Sequence, residues 1–267
     1  MGDPAKWLAG RRIVVTRAAA QAIDLLKALQ HAGAIPILLP VIRILPPEDF
    51  SRLDTVLRKL PEFDWVLFTS QNAVRIVRER LETLQLRFAK PPVVGAVARA
   101  TADEAAAAGF LVEYVASRPL GTALVEELAE HLKGKSVFLP RSDRANPDVL
   151  TALQGLDARV TEVIVYRTIS EAVQDNSVIA KAMGADAVLF FSPSAVIGFD
   201  DVCGAGKLAE FAATGVVLAS GPVTLAALKS KGISNASAAS EPSVARIVEA
   251  LANSFEMQKG NISGEAN

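Results

Sequence analysis

Short hydrophobic runs alternate with amphipathic stretches along the whole chain. Runs such as IVVT at residues 13–16 and VLFT at residues 66–69 have the length and composition of buried strands, and helical stretches follow them. This alternation is typical of parallel sheets whose two faces are covered by helices. The hydrophobic pattern therefore predicts an α/β fold.

The same pattern occurs twice, at a spacing of about 124 residues. In the clearest block, DWVLFTSQNAV from Asp64 matches DAVLFFSPSAV from Asp186 at seven of eleven positions. An earlier pair of predicted strands ends in Arg17 in the first copy and in Arg141 in the second. We therefore interpret the chain as a tandem duplication.

Both copies contain a helix-ending glycine and a long extended run. Gly109 and Gly232 occupy matching positions and are predicted to end helices. Residues 34–44 and 158–169 form extended runs that are rich in β-branched residues and too long for ordinary strands. No helix follows them directly. We expect both runs to cross between two domains, each of which combines parts of both copies.

Composition narrows the range of functions. The chain has 267 residues, of which 51% are hydrophobic, which is enough for about two domains. Its net charge is −1 and no Lys/Arg block stands out, so a nucleic-acid partner is not expected. Cys203 is the only cysteine, which excludes intramolecular disulfides and cysteine-cluster metal sites. Without a signal peptide or a long apolar run, we expect no membrane contact and a cytoplasmic location.

Polar residues follow the predicted strands, where ligands bind in parallel α/β sheets. Several also precede helices, whose free N–H groups favour anions. Helix capping and surface ion pairing are alternative roles for the hydroxyls and arginines. The candidate ligand-binding residues are Arg17, Thr69, Ser70, Asn72, Thr101, Arg141, Ser192, Ser194, Ser220 and Thr224.

Tyr166 stands apart because the first copy has Ile42 at the matching position, so the repeat does not require a tyrosine. A phenol in an extended run between domains is able to donate a proton or to hydrogen bond a ligand. The alternative is an ordinary amphipathic residue of a strand.

Cofactor and metal motifs are missing. The sequence has no Walker P-loop, H-E-x-x-H or G-x-S-x-G pattern. Residues 204–209 mimic G-x-G-x-x-A, but they follow a loop-like stretch and we interpret the match as chance. We predict no cofactor and no metal. An enzyme of this kind would work mainly by binding, positioning and desolvation.

Taken together, these residues resemble the uroporphyrinogen-III synthase family. The motifs IVVTR, DWVLFTSQNAV, ADAVLFFSPSAV, EVIVYRT and SGPVTLAALKSKG occur in that family's order and spacing, from about Arg11 to Leu251. The resemblance implies two Rossmann-like (flavodoxin-like) parallel-sheet domains joined by a two-stranded linker, the first domain being discontinuous. The boundaries predicted on this basis are 1–39 plus 170–254 for domain 1, 49–158 for domain 2, 40–48 and 159–169 for the linker strands, and 255–267 for a disordered tail.

The resemblance also implies an activity. Hydroxymethylbilane, a linear tetrapyrrole, is cyclised to uroporphyrinogen III with loss of water and inversion of the last pyrrole ring, without a cofactor, in a cleft between the domains. Tyr166 matches the family's tyrosine and is the expected catalytic residue. Thr101, Thr224 and the hydroxyl-bearing helix starts match its substrate-binding positions. Ala98 departs from the family's glycine, which puts close approach of the ligand to that loop in doubt.

Two alternatives of other classes stay open on sequence grounds. A non-catalytic two-domain module that binds or senses a small anion would use the same polar strand ends, but it would not need Tyr166. A glycosyltransferase with two Rossmann domains would need charged residues for a nucleotide diphosphate, and no such set can be assembled. For the enzyme, we expect a monomer, with transient contact to the preceding pathway enzyme.

Overall fold

The computed structural model describes residues 7–171 and 175–264. Strands and helices alternate through most of this part of the chain. The strands are β1 (Arg12–Val15), β2 (Ile35–Leu38), β3 (Ile42–Leu45), β4 (Trp65–Phe68), β5 (Val93–Ala96), β6 (Val112–Val115), β7 (Ser136–Ser142), β8 (Arg159–Ser170), β9 (Ala187–Phe190), β10 (Val216–Ala219) and β11 (Ser237–Ala238).

Helices occupy most of the segments between the strands, and a short 3₁₀ helix covers Leu60–Glu62. The α-helices are α1 (Ala19–His31), α2 (Ser51–Arg58), α3 (Gln71–Thr83), α4 (Arg99–Ala107), α5 (Gly121–Glu127), α6 (Ala129–Leu132), α7 (Asp148–Gln154), α8 (Asn176–Met183), α9 (Pro193–Cys203), α10 (Lys207–Ala212), α11 (Pro222–Ser230) and α12 (Val244–Gly264). Within residues 7–171 and 175–264, no helix is long and apolar enough to cross a membrane.

The chain divides into two compact units. Unit 1 comprises residues 1–43 and 169–267, and unit 2 comprises residues 44–168. Unit 1 holds a five-stranded sheet in the order β11-β10-β9-β1-β2, and its neighbouring strands pair in parallel. The second sheet has the order β3-β8-β7-β4-β5-β6, and its pairs from β8 to β6 are parallel. The predicted parallel α/β fold is confirmed.

Each unit combines strands from both copies of the repeat. Unit 1 places β1 and β2 of the first copy beside β9, β10 and β11 of the second. Unit 2 places β4, β5 and β6 of the first copy beside β7 and β8 of the second. The strand order of unit 1 is that of flavodoxin-like sheets, in which the second strand flanks the first and the remaining strands follow on the other side. Unit 2 has the same order when its strands are counted in the order of the repeat, from β7 and β8 to β4, β5 and β6.

The two extended runs differ. The first is interrupted after Leu38 and gives β2 and β3, whereas the second is the single strand β8 of 12 residues. Most of β8 pairs with β7, from Arg159 opposite Ser136 to Tyr166 opposite Ser142, and so belongs to the sheet. The division between the units crosses β3 and β8. The predicted domain and linker boundaries stay a prediction.

Hydrophobic side chains alternate between the two faces of each sheet. In β1, Val14 packs into one buried cluster while Ile13 and Val15 pack into another. In β4, Phe68 and Leu67 divide between two clusters in the same way. Strand side chains point alternately to opposite faces, and helices cover both faces of a parallel sheet. This double burial explains why the strands read as continuous apolar runs.

The helix ends are partly as predicted. Gly109 and Gly232 follow α4 and α11 with φ of 84° each, a left-handed conformation that favours glycine, so the helix-ending role is confirmed. The tail predicted from residue 255 overlaps α12, which extends from Val244 to Gly264, and Phe255 is buried with Ile247 and Leu251. Residues 265–267 lie outside the described residues.

Candidate active site

The carboxyl ends of the strands carry the candidate residues, and each sheet has one point where the strand order reverses. In unit 1 this point lies between β1 and β9, and in unit 2 between β7 and β4. Ligands of open α/β sheets bind outside the carboxyl ends at such points. We call residues 16–19, 191–194 and 220–224 the unit-1 edge, and residues 69–72, 98–101, 142–144 and 166–168 the unit-2 edge.

A serine caps a helix at both edges. The Ser70 hydroxyl accepts a hydrogen bond from the Ala73 N–H at 3.1 Å, and the Ser192 hydroxyl accepts one from the Ala195 N–H at 3.2 Å. The two serines share an extended backbone, with φ of −159° in each case. The duplication has therefore preserved a helix cap. A capping hydroxyl still has its own proton to donate.

Tyr166 reaches the capping serine of the unit-2 edge. Its hydroxyl lies 3.0 Å from the Ser70 Oγ, and its side chain is buried. Burial raises the pKa of the phenol, and the negative charge of Asp143 adds to the rise, while hydrogen bonding with Ser70, Ser142 and Asn72 opposes it. The phenol is therefore protonated at neutral pH and is able to donate a hydrogen bond.

A bulge aims Tyr166 into the unit. Arg141 of β7 faces Ile164 of β8, but the next residue, Ser142, faces Tyr166, so β8 carries one extra residue. Up to this point alternate residues of β8 are buried, with Val163 and Val165 buried and Ile164 exposed. The extra residue shifts this alternation, so that Tyr166 is buried directly after Val165. Bulges re-aim side chains in this way next to functional sites.

Asn72 and Thr69 flank Ser70 on the unit-2 edge. Asn72 is half-buried in the first turn of α3, where its Oδ1 accepts a hydrogen bond from the Arg75 Nη2 at 3.2 Å. Thr69 is half-buried between β4 and α3. The structure therefore brings together Ser70, Asn72 and Tyr166, which the sequence had singled out separately.

Arg17 lies on the unit-1 edge, directly after β1 and its buried neighbour Thr16. Its guanidinium stacks over the Phe191 ring at 5.3 Å, and its Nε donates to the Gln21 Oε1 at 3.2 Å. Desolvation lowers the pKa of Arg17, although an arginine stays charged at neutral pH. A partly desolvated cation beside an aromatic ring suits a carboxylate ligand.

Arg141, the matching residue of the second copy, is placed differently. Only 3% of its side chain is exposed, its Nη1 donates to the Glu162 Oε1 at 2.8 Å, and its Nη2 donates to the Asn146 carbonyl. The charge of this arginine is satisfied inside unit 2. The prediction that Arg141 binds a substrate carboxylate is therefore not retained.

Thr101 and Thr224 occupy the first turns of α4 and α11, and each is 4% exposed. Ala98 precedes α4 and Gly221 precedes α11, both with extended backbones. The φ of Gly221 does not require a glycine. A Cβ atom added at this position would have no heavy atom within 4 Å among the described residues. Ala98 thus keeps the geometry of this helix start, and contact of either threonine with a ligand stays a prediction.

The remaining candidates belong to the unit-1 edge. Ser194 is half-buried in the first turn of α9, two residues after the capping Ser192. Ser220 is half-buried after β10, and its N–H donates to the Phe190 carbonyl at 2.8 Å. Both side chains flank helix starts, as predicted from the strand ends.

Three residues of the unit-2 edge were not singled out from the sequence. Ser142, Asp143 and Thr168 form hydrogen bonds with one another around the backbone of Tyr166. The signal that identifies them is departure from the repeat, because the matching positions of the first copy are Ala18, Ala19 and Ile44.

Neither metal nor thiolate chemistry is indicated by the side chains described. Within residues 7–171 and 175–264, no group of three or more His, Cys, Asp or Glu side chains is arranged to hold a metal ion. The stretch before the G-x-G-x-x-A mimic is helix α9 and not the expected loop. The mimic therefore still does not follow a strand, as the dinucleotide motif requires. Burial raises the pKa of the half-buried Cys203 thiol to about 11, with a smaller contribution from Asp200.

The protein is of the two-unit α/β class, with two flavodoxin-like units. Both have capped helices at polar strand ends, and one also has a buried phenol. The family model described as uroporphyrinogen-III synthase HemD matches residues 23–249, and the chain belongs to this family. Its members are lyases that act on hydroxymethylbilane in tetrapyrrole biosynthesis, which confirms the predicted class of enzyme.

Relatives agree with this assignment, and solved structures share the fold. The chain is 30% identical to a uroporphyrinogen-III synthase of Synechococcus elongatus over 81% of this chain and 85% of the relative. It is 28% identical to a chloroplastic one of Oryza sativa subsp. japonica, over 69% and 62%. A mutant synthase structure from the extremely thermophilic bacterium Thermus thermophilus matches with a TM-score of 0.68 at 18% identity, covering 93% of this chain and 100% of the other. One from Helicobacter pylori 26695 matches with a TM-score of 0.59 at 20% identity, covering 92% and 99%.

Proposed function

We propose that this chain cyclises hydroxymethylbilane to uroporphyrinogen III at the carboxyl ends of its parallel strands, with Tyr166 as the catalytic residue. The observation that carries the proposal is the Tyr166 hydroxyl, buried, protonated and 3.0 Å from the Ser70 hydroxyl at the start of α3. Family membership supplies the reaction, and the unit-2 edge supplies a group suited to it.

Loss of water is the step that needs this group. The hydroxymethyl C–O bond breaks as electrons of the terminal pyrrole form an exocyclic C=C bond. The hydroxyl leaves as water with a proton from Tyr166. The pyrrole N–H releases a proton, which passes through solvent to the Tyr166 phenolate and restores the phenol, so the site gains no proton overall. The product is an azafulvene, which the last pyrrole ring attacks. A neutral phenol helps because hydroxide is a poor leaving group and a positioned acid lowers its cost.

The substrate carries many carboxylates, and the described residues offer suitable partners. Arg17 is a partly desolvated cation on the unit-1 edge. The N-termini of α3 and α9 contribute N–H groups and partial positive charge. We assign substrate binding to Arg17, to these helix starts and to the polar side chains Thr69, Ser70, Asn72, Thr101, Ser192, Ser194, Ser220 and Thr224.

Positioning decides which isomer forms. In solution an azafulvene closes without inversion of the last ring, so the enzyme must hold the chain in the geometry of inversion before that reaction occurs. Neutral hydrogen-bonding side chains suit this task, because they bind the substrate without reacting with the intermediate. A non-catalytic anion-binding module would give tight binding without turnover and would not depend on Tyr166.

Product analysis with hydroxymethylbilane tests the proposal. We expect the purified protein to give uroporphyrinogen III in place of the uninverted isomer that forms spontaneously. Tyr166→Phe should lower kcat by about 100-fold with little change in KM, because only the proton donor is removed.

Tyr114→Phe is the matched control, since Tyr114 also loses a hydrogen-bonded hydroxyl in unit 2, in its case to Glu127. We expect Tyr114→Phe to keep the parental kcat. An isomer mixture equal to the spontaneous one would refute the enzymatic function, and parental turnover in Tyr166→Phe would refute only the role of Tyr166. A monomeric state, a cytoplasmic location and transient contact with the preceding pathway enzyme stay predictions.

A further inference from the structure

Asp143 holds the backbone of β8 on both sides of the residue after Tyr166. Its own N–H donates to the Tyr166 carbonyl at 3.1 Å, and its Oδ1 accepts from the Thr168 N–H at 2.9 Å. The segment between these two bonds directly follows the bulge that turns Tyr166 inward. A single aspartate thus holds β8 at the point where the alternation of buried and exposed residues has shifted.

The Asp143 carboxylate also orders the hydroxyls beside the phenol. Its Oδ1 accepts from the Ser142 hydroxyl at 3.0 Å, and the Ser142 Oγ lies 3.2 Å from the Thr168 Oγ1. Ser142 faces Tyr166 across the pairing of β7 with β8. Because the carboxylate accepts only, it determines the direction in which Ser142 points its proton.

Asp64 forms a similar set of hydrogen bonds at the opposite end of β7. Its N–H donates to the Ser136 carbonyl at 3.0 Å, and its Oδ2 accepts from both the Ser136 N–H and the Ser136 hydroxyl at 2.8 Å. The two aspartates therefore make comparable backbone and hydroxyl contacts in one sheet. Only Asp143 is next to the phenol. A substitution at Asp64 is therefore a control for the loss of stability that a substitution at Asp143 would cause.

We propose that Asp143 is a positioning residue for Tyr166, which it serves by holding the bulge of β8 and orienting the Ser142 hydroxyl. The inference rests on the proposed role of Tyr166 in the reaction. The claim that Asp143 positions the Tyr166 ring does not rest on that role, because the placement of the ring can be measured without turnover.

Asp143→Ala should lower kcat about tenfold and leave KM within about twofold, because a mispositioned phenol weakens proton donation and not substrate binding. Asp143→Asn should recover most of the loss, since its Oδ1 still accepts from the Thr168 N–H. Asp64→Ala should lose similar stability and keep the parental kcat. Parental kcat in Asp143→Ala, or an equal loss of kcat in Asp64→Ala, would overturn the proposal.

A spectroscopic measurement separates this proposal from the proposed function. The chain has two tyrosines, so Tyr114→Phe with ring-13C-labelled tyrosine leaves Tyr166 as the only signal. We expect Asp143→Ala to move the Tyr166 resonances and Asp64→Ala to leave them in place. If Asp143→Ala fails to fold, Asp143→Ser, which is too short to reach Thr168, takes its place. Unmoved resonances would refute the positioning role even if Tyr166 proves dispensable for turnover.

Discussion

The unit-1 and unit-2 edges descend from the same repeat, yet only one of them carries an acid. Both have a capping serine with the same backbone conformation and the same bond to the helix, at Ser70 and at Ser192. The Tyr166 hydroxyl contacts the capping serine at the unit-2 edge, whereas the matching Ile42 is partly buried and packs against the hydrophobic core of unit 1. Both copies therefore keep the helix cap, and only the unit-2 edge places a buried phenol beside it.

The arginines at the ends of the two matching first strands also differ in their surroundings. Arg17 remains partly open to solvent beside Phe191, whereas Arg141 is enclosed with Glu162. At the arginine position, unit 1 has a half-buried guanidinium beside an aromatic ring, and unit 2 has one that pairs with a carboxylate inside the unit. Equivalent positions in a duplication therefore do not predict equivalent roles, and the burial of each side chain decides between them.

The largest expected effect on folding is at Arg141. Arg141→Met should lower the free energy of unfolding by about 3 kcal/mol, because it leaves Glu162 and the Asn146 carbonyl without their partner. Urea denaturation measures the loss, and the folded fraction should keep the parental KM.

Arg12→Met is the matched control for Arg141, since Arg12 forms an exposed ion pair with Asp186 and should cost at most about 1 kcal/mol. A large rise in KM without loss of stability in Arg141→Met would restore the ligand-binding role for Arg141.

Sequence reasoning reached the fold because buried strands and helix starts leave strong local signals. The repeat identified the capping serines, and departure from it identified Tyr166. The sequence did not predict that Arg141 is buried. Its partner Glu162 lies on β8, and the burial of Arg141 depends on the pairing of β7 with β8. The bulge in β8 was also missed, because a shift in strand register is a tertiary feature. Ser142 and Asp143, whose contacts with Tyr166 follow from this bulge, were not singled out for the same reason.

Arg17→Gln should have the next largest effect. We expect KM for hydroxymethylbilane to rise about tenfold, or about 1.4 kcal/mol, with kcat within threefold, because a carboxylate contact is lost both before and during the reaction. Increasing salt should raise the parental KM more than that of the variant.

Arg246→Gln removes an exposed arginine that pairs with Glu249 in unit 1, outside the unit-1 edge, and it should leave KM unchanged. If Arg17→Gln behaves like this control, the unit-1 edge does not hold a substrate carboxylate through its arginine.

The smallest effects come from the two capping serines, and they give the sharpest comparison. Ser70→Ala and Ser192→Ala should each lower the free energy of unfolding by about 1 kcal/mol, because each removes one cap of the same geometry. Only Ser70→Ala should also lower kcat, by about fivefold, since the Tyr166 hydroxyl loses its partner at 3.0 Å. Denaturation curves and initial rates measured on both variants separate the two contributions. Equal falls in kcat would mean that both serines serve the reaction alike, and that the asymmetry of the edges lies elsewhere than in the phenol.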